Sequence, residues 1–410
     1  MDFNKPIGII ELGSLNLKCL IIKVNADGSS EILSSSVTKS EGIHNGTIVN
    51  LLKATTAIRA CISDAEKKAK IFLKKIYVII EQPEFLCTKF SKNRKINGAK
   101  IQKEDIEFLL NEAKKQVTLN DKTQSIIHIF NHNYIVDNKK FIEEPINIYA
   151  NSLSHEMTFV SIPKNNLKNI NQAFNDCDID LERIISCTFA LGVKLLNENQ
   201  LQTGAILIDL GFEKISVGLF KNLALVHSFT LPFGINHIVK DVSKVCLLNI
   251  DEAENIKDNI NFLSIENSNI FGNNDYLKNI FFTNSPFRKV SKKLMINVIK
   301  SRLDEMLEEI KEQISINGIN LLSENNILLT GGGSQLLNIE EYFSNFFKIE
   351  IKKLKINEKN KNHVYFNNNF FSCLGAFEII KDGWETEAIP EIVNKNQEKL
   401  GFFARIFGNG

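Results

Sequence analysis

The chain has 410 residues, 43% of them hydrophobic and 24% charged, an ordinary soluble composition in a length that favours two or more domains. Its 49 Lys and Arg nearly cancel its 48 Asp and Glu, which excludes the basic excess of a general nucleic-acid binder. Seven scattered cysteines without a CxxC pair read as reduced core thiols of a cytosolic protein.

The N-terminus, MDFNKPIGIIELG, lacks the charged-then-apolar plan of a signal peptide, and no apolar run approaches the roughly 18 residues of a membrane span. Residues 7 to 24, IGIIELGSLNLKCLIIKV, read as two short strands joined by a polar turn at Gly13 and Ser14. Between about 82 and 162 the pattern changes. A helix, QKEDIEFLLNEAKKQV, precedes two strand candidates ending in INIYANSLSHEMTFVSIP, predicting a small α+β insertion. His128 and His132 have helical spacing, but SIIHIFNHNYIV alternates as a strand, which argues against a metal pair.

A strand, acidic residue, glycine turn and strand return at 204 to 220, GAILIDLGFEKISVGLF, so two similar lobes are expected. On the predicted helix DEAENIK, Glu254 and Lys257 stand at i and i+3 and share a face. Further on, NILLTGGGSQLLNIEEYF gives an apolar strand, Gly331, Gly332, Gly333 and an amphipathic helix. Bare glycine backbone there permits close approach of a flat or phosphorylated ligand. From about 386 the chain turns polar, then ends in LGFFARIFGNG. Wound as a helix, that end lines up Leu400, Phe403 and Phe407, with Phe402 and Ile406 beside them, as an interfacial anchor for an anionic membrane surface would.

Taken in order, these pieces resemble the FtsA family of actin-like proteins over nearly the whole chain. The resemblance implies an α/β, two-lobed, ribonuclease-H-like body with a small α+β domain inserted in the first lobe and an amphipathic C-terminal tail. It sets the first lobe at 1–81 plus 163–198 and the insert at 82–162. The second lobe follows at 199–385, with a partner-binding subdomain at about 240–312, then a linker at 386–399 and the tail at 400–410. It implies ATP between the lobes, held by IELGSLNLK (Glu11, Gly13, Ser14, Asn16), IDLGFEKIS (Asp209, Gly211, Lys214), Glu254, Lys257 and Gly331 to Gly333. Mg²⁺ would sit on Glu11 and Asp209 through water.

Several positions depart from the family pattern. Glu11 replaces an Asp, Asn16 stands where a Lys is frequent, and Phe212, Glu213 and Lys214 replace Gly, Gly and Thr. Side chains at 212 and 213 crowd the phosphates, and the Glu213 charge repels them, so slow or absent hydrolysis is expected. Resemblance further implies that Arg288, Lys293 and Arg302, on or before the helix within 285 to 314, receive the acidic C-terminal tail of FtsZ. It also implies filaments, contacts with other division proteins, and a place on the cytoplasmic side of the inner membrane at the division site. An actin-fold ATPase or kinase and a PilM-like pilus adaptor are the alternatives.

Overall fold

The computed structural model describes residues 6–25, 28–141, 143–283, 288–317, 326–353 and 369–382, apart from the His132 side chain. The stripe Leu400, Phe402, Phe403, Ile406 and Phe407 lies outside them, as does the 386–399 linker. Two compact units emerge. The first takes residues up to Ala205, Gly218–Phe229 and the C-terminal segment; the second takes Ile206–Val217 and Thr230–Lys355.

The first unit opens with β1 (Ile7–Leu12) and β2 (Asn16–Val24), antiparallel with Glu11 opposite Lys18. Ile9, Ile10, Leu17, Cys19, Leu20 and Ile21 are fully buried, so this hairpin is central to its core. Next come β3 (Ser30–Lys39), the short β4 (Ile43–His44) and β5 (Thr47–Ile48), then α1 (Leu51–Ala69) and β6 (Lys75–Ile80). With β11 (Asp180–Ser186) they make a sheet of order β11-β6-β1-β2-β3. Asn50 caps α1 by accepting the Lys53 amide.

Between β6 and β11 lies the inserted α+β domain. It comprises β7 (Leu86–Lys100), α2 (Lys103–Asn120), β8 (Gln124–Val136), β9 (Lys139–Phe141) and β10 (Tyr149–Pro163), with sheet order β7-β10-β8-β9. Ile106, Leu109, Leu110 and Ala113 of α2 pack on this sheet's apolar face. α3 (Lys164–Asn175) leads back to β11, followed by α4 (Cys187–Leu195) and α5 (Glu198–Thr203).

A third sheet has the order β14-β13-β12-β15-β16, with β12 (Ala205–Leu210), β13 (Ile215–Lys221), β14 (Ala224–Leu231), β15 (Ile327–Thr330) and β16 (Ile351–Lys353). The far end of the β13–β14 hairpin groups with the first unit. The Thr158 hydroxyl donates to the Val226 carbonyl at 2.8 Å, and the Ser228 amide donates to Cys87 Sγ at 3.2 Å. Helices of the second unit are α6 (Ile235–Val245), α7 (Ile250–Asp258), α8 (Lys292–Ile316) and α9 (Ile339–Phe347).

The last described element, α10 (Phe371–Asp382), departs from the expected boundary of 199–385 for the second lobe. It packs on α4 and β1 and so joins the first unit. Lys194 of α4 pairs with Glu378 at 2.5 Å, and Gly375 meets the Ala190 backbone. Proximity in sequence to β16 is overridden by the apolar face of Cys373, Ala376, Phe377 and Ile380, all buried. All seven cysteines are free thiols, and six of them are buried.

Candidate functional site

The first glycine turn is the β1–β2 connection, Gly13 to Leu15. Ser14 Oγ is buried there with no hydrogen-bond partner, an arrangement that suits an absent oxygen-rich ligand. Glu11, by contrast, is committed. Lys18 Nζ donates to its two carboxylate oxygens at 3.3 and 3.1 Å, and the Ser372 hydroxyl of α10 donates to Oε2. Burial disfavours the Lys18 ammonium, yet the adjacent Glu11 carboxylate outweighs that cost and leaves its pKa above the ordinary lysine range. Asn16 lies on the same face of β2, two residues from Lys18.

The second turn joins β12 to β13 and closes through the Gly211 amide donating to the Lys214 carbonyl at 2.9 Å. Its outward carbonyls are spent locally. Gly211 O accepts from the Ile235 amide at 3.2 Å and Phe212 O from the Asn236 amide at 2.8 Å. Those amides belong to the first turn of α6, whose free N–H groups would otherwise be an anion site. The expected repulsion by Glu213 is moderated. Its carboxylate lies 3.6 Å from Lys240 of α6, and its side chain is 13% exposed, so the charge is largely compensated within the unit. Phe212 is half-buried.

Gly331 begins the third turn. Parallel pairing sets Asp209 opposite Thr330, which brings Asp209, Gly211 and the glycine run together at the carboxyl ends of β12 and β15. Ligands of open α/β sheets collect at such ends. Gly331 has φ +86°, and a Cβ there would stand 2.2 Å from Asp209 Oδ1, so no other residue fits. A Cβ on Gly332 would meet nothing within 4 Å, so backbone is open to approach there. The helix foreseen directly after the glycines begins later, at Ile339; a short 3₁₀ turn, Gly332–Gln335, comes first.

On α7, Glu254 and Lys257 are both half-buried, and Lys257 Nζ lies 3.1 Å from Asp258. The fixed carboxylate of this helix is instead Glu252. It is buried, accepts the Asn249 amide in a capping box, and accepts the Thr283 amide at 2.7 Å. The spacing Asn249-x-x-Glu252 was the sequence signal for it.

The three predicted partner residues are not one patch. Arg288, four residues before α8, and Lys293, in its first turn, are both exposed; Lys293 lines a groove of about 460 Å³ with Tyr276, Lys292 and Ile296 and the acidic Glu266 and Asp275. Arg302 sits nine residues beyond Lys293, about half a turn out of phase on an ideal helix. Its guanidinium is bound to Asp241 of α6 and, at 2.8 Å, to Glu305. The side chain is 24% exposed, and the Asp241 hydrogen bond raises its pKa further.

The residues fit a nucleotide better than they fit a metal on Glu11. Ser14 Oγ in the first unit and, taken by itself, the open Gly332 backbone in the second are each of a kind that suits a phosphorylated ligand. Glu11 would have to give up Lys18 to bind a cation directly, though not to hold one through water, and among the described residues no three His, Cys, Asp or Glu are grouped as metal ligands.

The family model described as Cell division protein FtsA matches residues 206–375, and that described as the SHS2 domain inserted in FtsA matches 85–161. Together they span more than half of the chain. The chain belongs to the FtsA family. Cell division protein FtsA of Agrobacterium fabrum is 23% identical over 352 residues, covering 82% of this chain and 77% of its own. That of Borreliella burgdorferi is 24% identical over 416 residues, covering 100% and 98%. Among solved structures, the PilM–PilN type IV pilus biogenesis complex aligns with a TM-score of 0.62 at 10% identity, covering 91% of this chain and 97% of that one. MreB5 of Spiroplasma citri bound to ADP aligns at 0.50 and 13% identity, covering 93% and 98%. These likenesses show an actin-like fold. The FtsA match contains the second and third glycine turns and all of α8, and the inserted match covers the sheet of β7 to β10. This is therefore a cell-division protein with an actin-like body. Among the described residues no helix is long and apolar enough to cross a membrane.

Proposed function

We propose that this protein tethers the FtsZ ring to the cytoplasmic face of the inner membrane at the division site and helps recruit further division proteins. Its actin-like body polymerises, with ATP bound through the glycine turns acting as an assembly switch that turns over slowly. The observation that supports this most is the FtsA match across α8, where exposed Lys293 lines a groove in which Asp275 and Glu266 are already paired with Lys292 and Lys300, and Arg288 is exposed five residues earlier. Guanidinium and ammonium groups suit carboxylates, and Tyr276 and Ile296 offer apolar contact. Membrane attachment falls to the C-terminal stripe of Leu400, Phe403 and Phe407 with Phe402 and Ile406. Many weak anchors along a polymer would add through effective concentration.

The test is binding of an FtsZ tail peptide to the full chain, with melting temperature measured alongside. Arg288→Glu and Lys293→Glu are each expected to weaken binding about tenfold, near the value of one charge-assisted contact, without changing stability. Arg302→Glu is expected to lower the melting temperature as well, because it sets three carboxylates together. Unchanged affinity in both Arg288→Glu and Lys293→Glu would move the partner site elsewhere.

A further inference from the structure

We infer that the open edge of β7 takes an extended acidic segment of a partner chain as an added strand. The site belongs to the inserted domain and depends neither on the glycine turns nor on α8. β7 ends the sheet β7-β10-β8-β9, and among the described residues it pairs only with β10. From Leu86 opposite Ser161 to Lys95 opposite Ser152 that pairing runs without a break. Successive residues of a strand turn their N–H and C=O groups to opposite sides, so every second residue of this stretch presents its backbone away from β10. The register then shifts between Ser152 and Ala150, where Asn97 and Gly98 take positive φ, 55° and 78°. Such a bulge terminates a regular edge. At the other end the Ser228 amide of β14 donates to Cys87 Sγ, which leaves Thr88 to Lys95 as the open stretch. At about 3.4 Å per residue, that is room for a strand of ordinary length.

Backbone pairing alone accepts many sequences, and charge chooses among them. Phe90 and Ile96 pack into the core beneath α2, so alternation places Lys92 and Arg94 on the α2 side of the sheet. Lys89 and Lys95 fall on the opposite face and are exposed. Cations therefore border the open stretch on both faces, and β7 has no acidic residue. Arg94 is fixed at the rim, its guanidinium 4.3 Å from the centre of the Phe108 ring and its Nε 3.1 Å from Asp105. An added strand sets its side chains about 5 Å from those of β7, a distance at which opposite charges attract and like charges repel. An acidic, proline-free extended segment meets both requirements, the ladder and the charge.

The experiment is fluorescence anisotropy of a labelled nonapeptide alternating Glu and Val, titrated with the full chain at low salt. Two further peptides accompany it. One is the same sequence N-methylated at its consecutive central amides, which keeps the charge and blocks strand pairing on both edges; the other alternates Lys and Val. The Glu–Val peptide is expected to bind wild type, and the N-methylated form about tenfold or more weakly, the scale of the hydrogen bonds lost. The Lys–Val peptide is expected not to bind. The double variant Lys89→Glu with Lys95→Glu, at two exposed positions, is expected to bind the Glu–Val peptide about tenfold or more weakly, because attraction turns to repulsion at both. Melting curves check that it folds, and the N-methylated peptide tests the strand with the protein unaltered. Equal binding of the N-methylated peptide, or undiminished affinity in the double variant, overturns the inference. Loss of the peptide in Lys293→Glu instead puts it on α8 and overturns it too. If wild type ignores the peptide, and the double variant leaves phosphatidylglycerol vesicles that wild type holds, the cations serve a lipid surface and no strand is added.

Discussion

Acidification from pH 6.5 to 4.5 is expected to cost this protein about 3–5 kcal/mol of stability through two buried histidines, at roughly 1.4 kcal/mol per pKa unit for each. His128 Nε2 accepts the Ser186 amide at 3.0 Å, so that nitrogen must be unprotonated in the folded chain. Burial lowers its pKa to about 3. Burial, then the charge of Lys89, lowers His227 to about 4, and neither of its ring nitrogens has a hydrogen-bond partner. Both folded values lie below the unfolded one near 6.5. The stability is therefore complete above about pH 6.5, and it falls as the unfolded chain takes up protons first. The loss continues down to the folded pKa values. Urea unfolding at pH 7.0, 5.5 and 4.5 measures it. His128→Gln, which keeps an acceptor for Ser186, is expected to flatten the profile by about half. An identical pH slope in His128→Gln would show that the imidazole is not the origin.

Substituting Gly375 is expected to cost about 3 kcal/mol or more, at the upper end of what overpacking does in a formed core. A Cβ at that position would stand 1.9 Å from the Ala190 carbonyl oxygen and 2.7 Å from its carbon. Neither backbone can yield without parting α10 from α4. The separation would expose Cys373, Ala376 and Ile380, which are fully buried. Thermal melting of Gly375→Ala and Gly375→Val, beside Glu378→Ala as a control, makes the comparison. The control removes only the part-exposed pair with Lys194 and is expected to change stability by about 1 kcal/mol or less. Equal melting of Gly375→Val and wild type would contradict the close crossing.

Much of the fold was legible because alternation reported burial directly. The hairpins at 7 to 24 and 204 to 220, the helix of the insert and the strand through His128 all appear where their patterns put them. β7 escaped notice. Its run of Lys, Asn and Ser has low strand propensity, and it pairs on one side only, with β10. The site was less legible because its charges find partners through tertiary structure. Arg302 reads as an open cation until α6 brings Asp241 to it from 61 residues away. Glu213 reads as a repulsive charge until Lys240 faces it. Glu11 reads as an open carboxylate until the hairpin register places Lys18 opposite and α10 returns Ser372 across 361 positions. Such pairings leave no local periodicity to detect.

The same strand β7 bears on colloidal behaviour. It ends its sheet, and an edge of 15 residues is a template on which another chain could build. Between Leu86 and Lys100 it carries Lys89, Lys92, Arg94, Lys95 and Lys100 and no acidic residue. Two such edges meeting would set cation against cation along their length, although Arg94 is neutralised by Asp105 at 3.1 Å. Charge thus keeps this edge from seeding runaway sheet growth. The protection is electrostatic and reaches only about 10 Å at 0.1 M salt, so strong brine is the condition under which it fails.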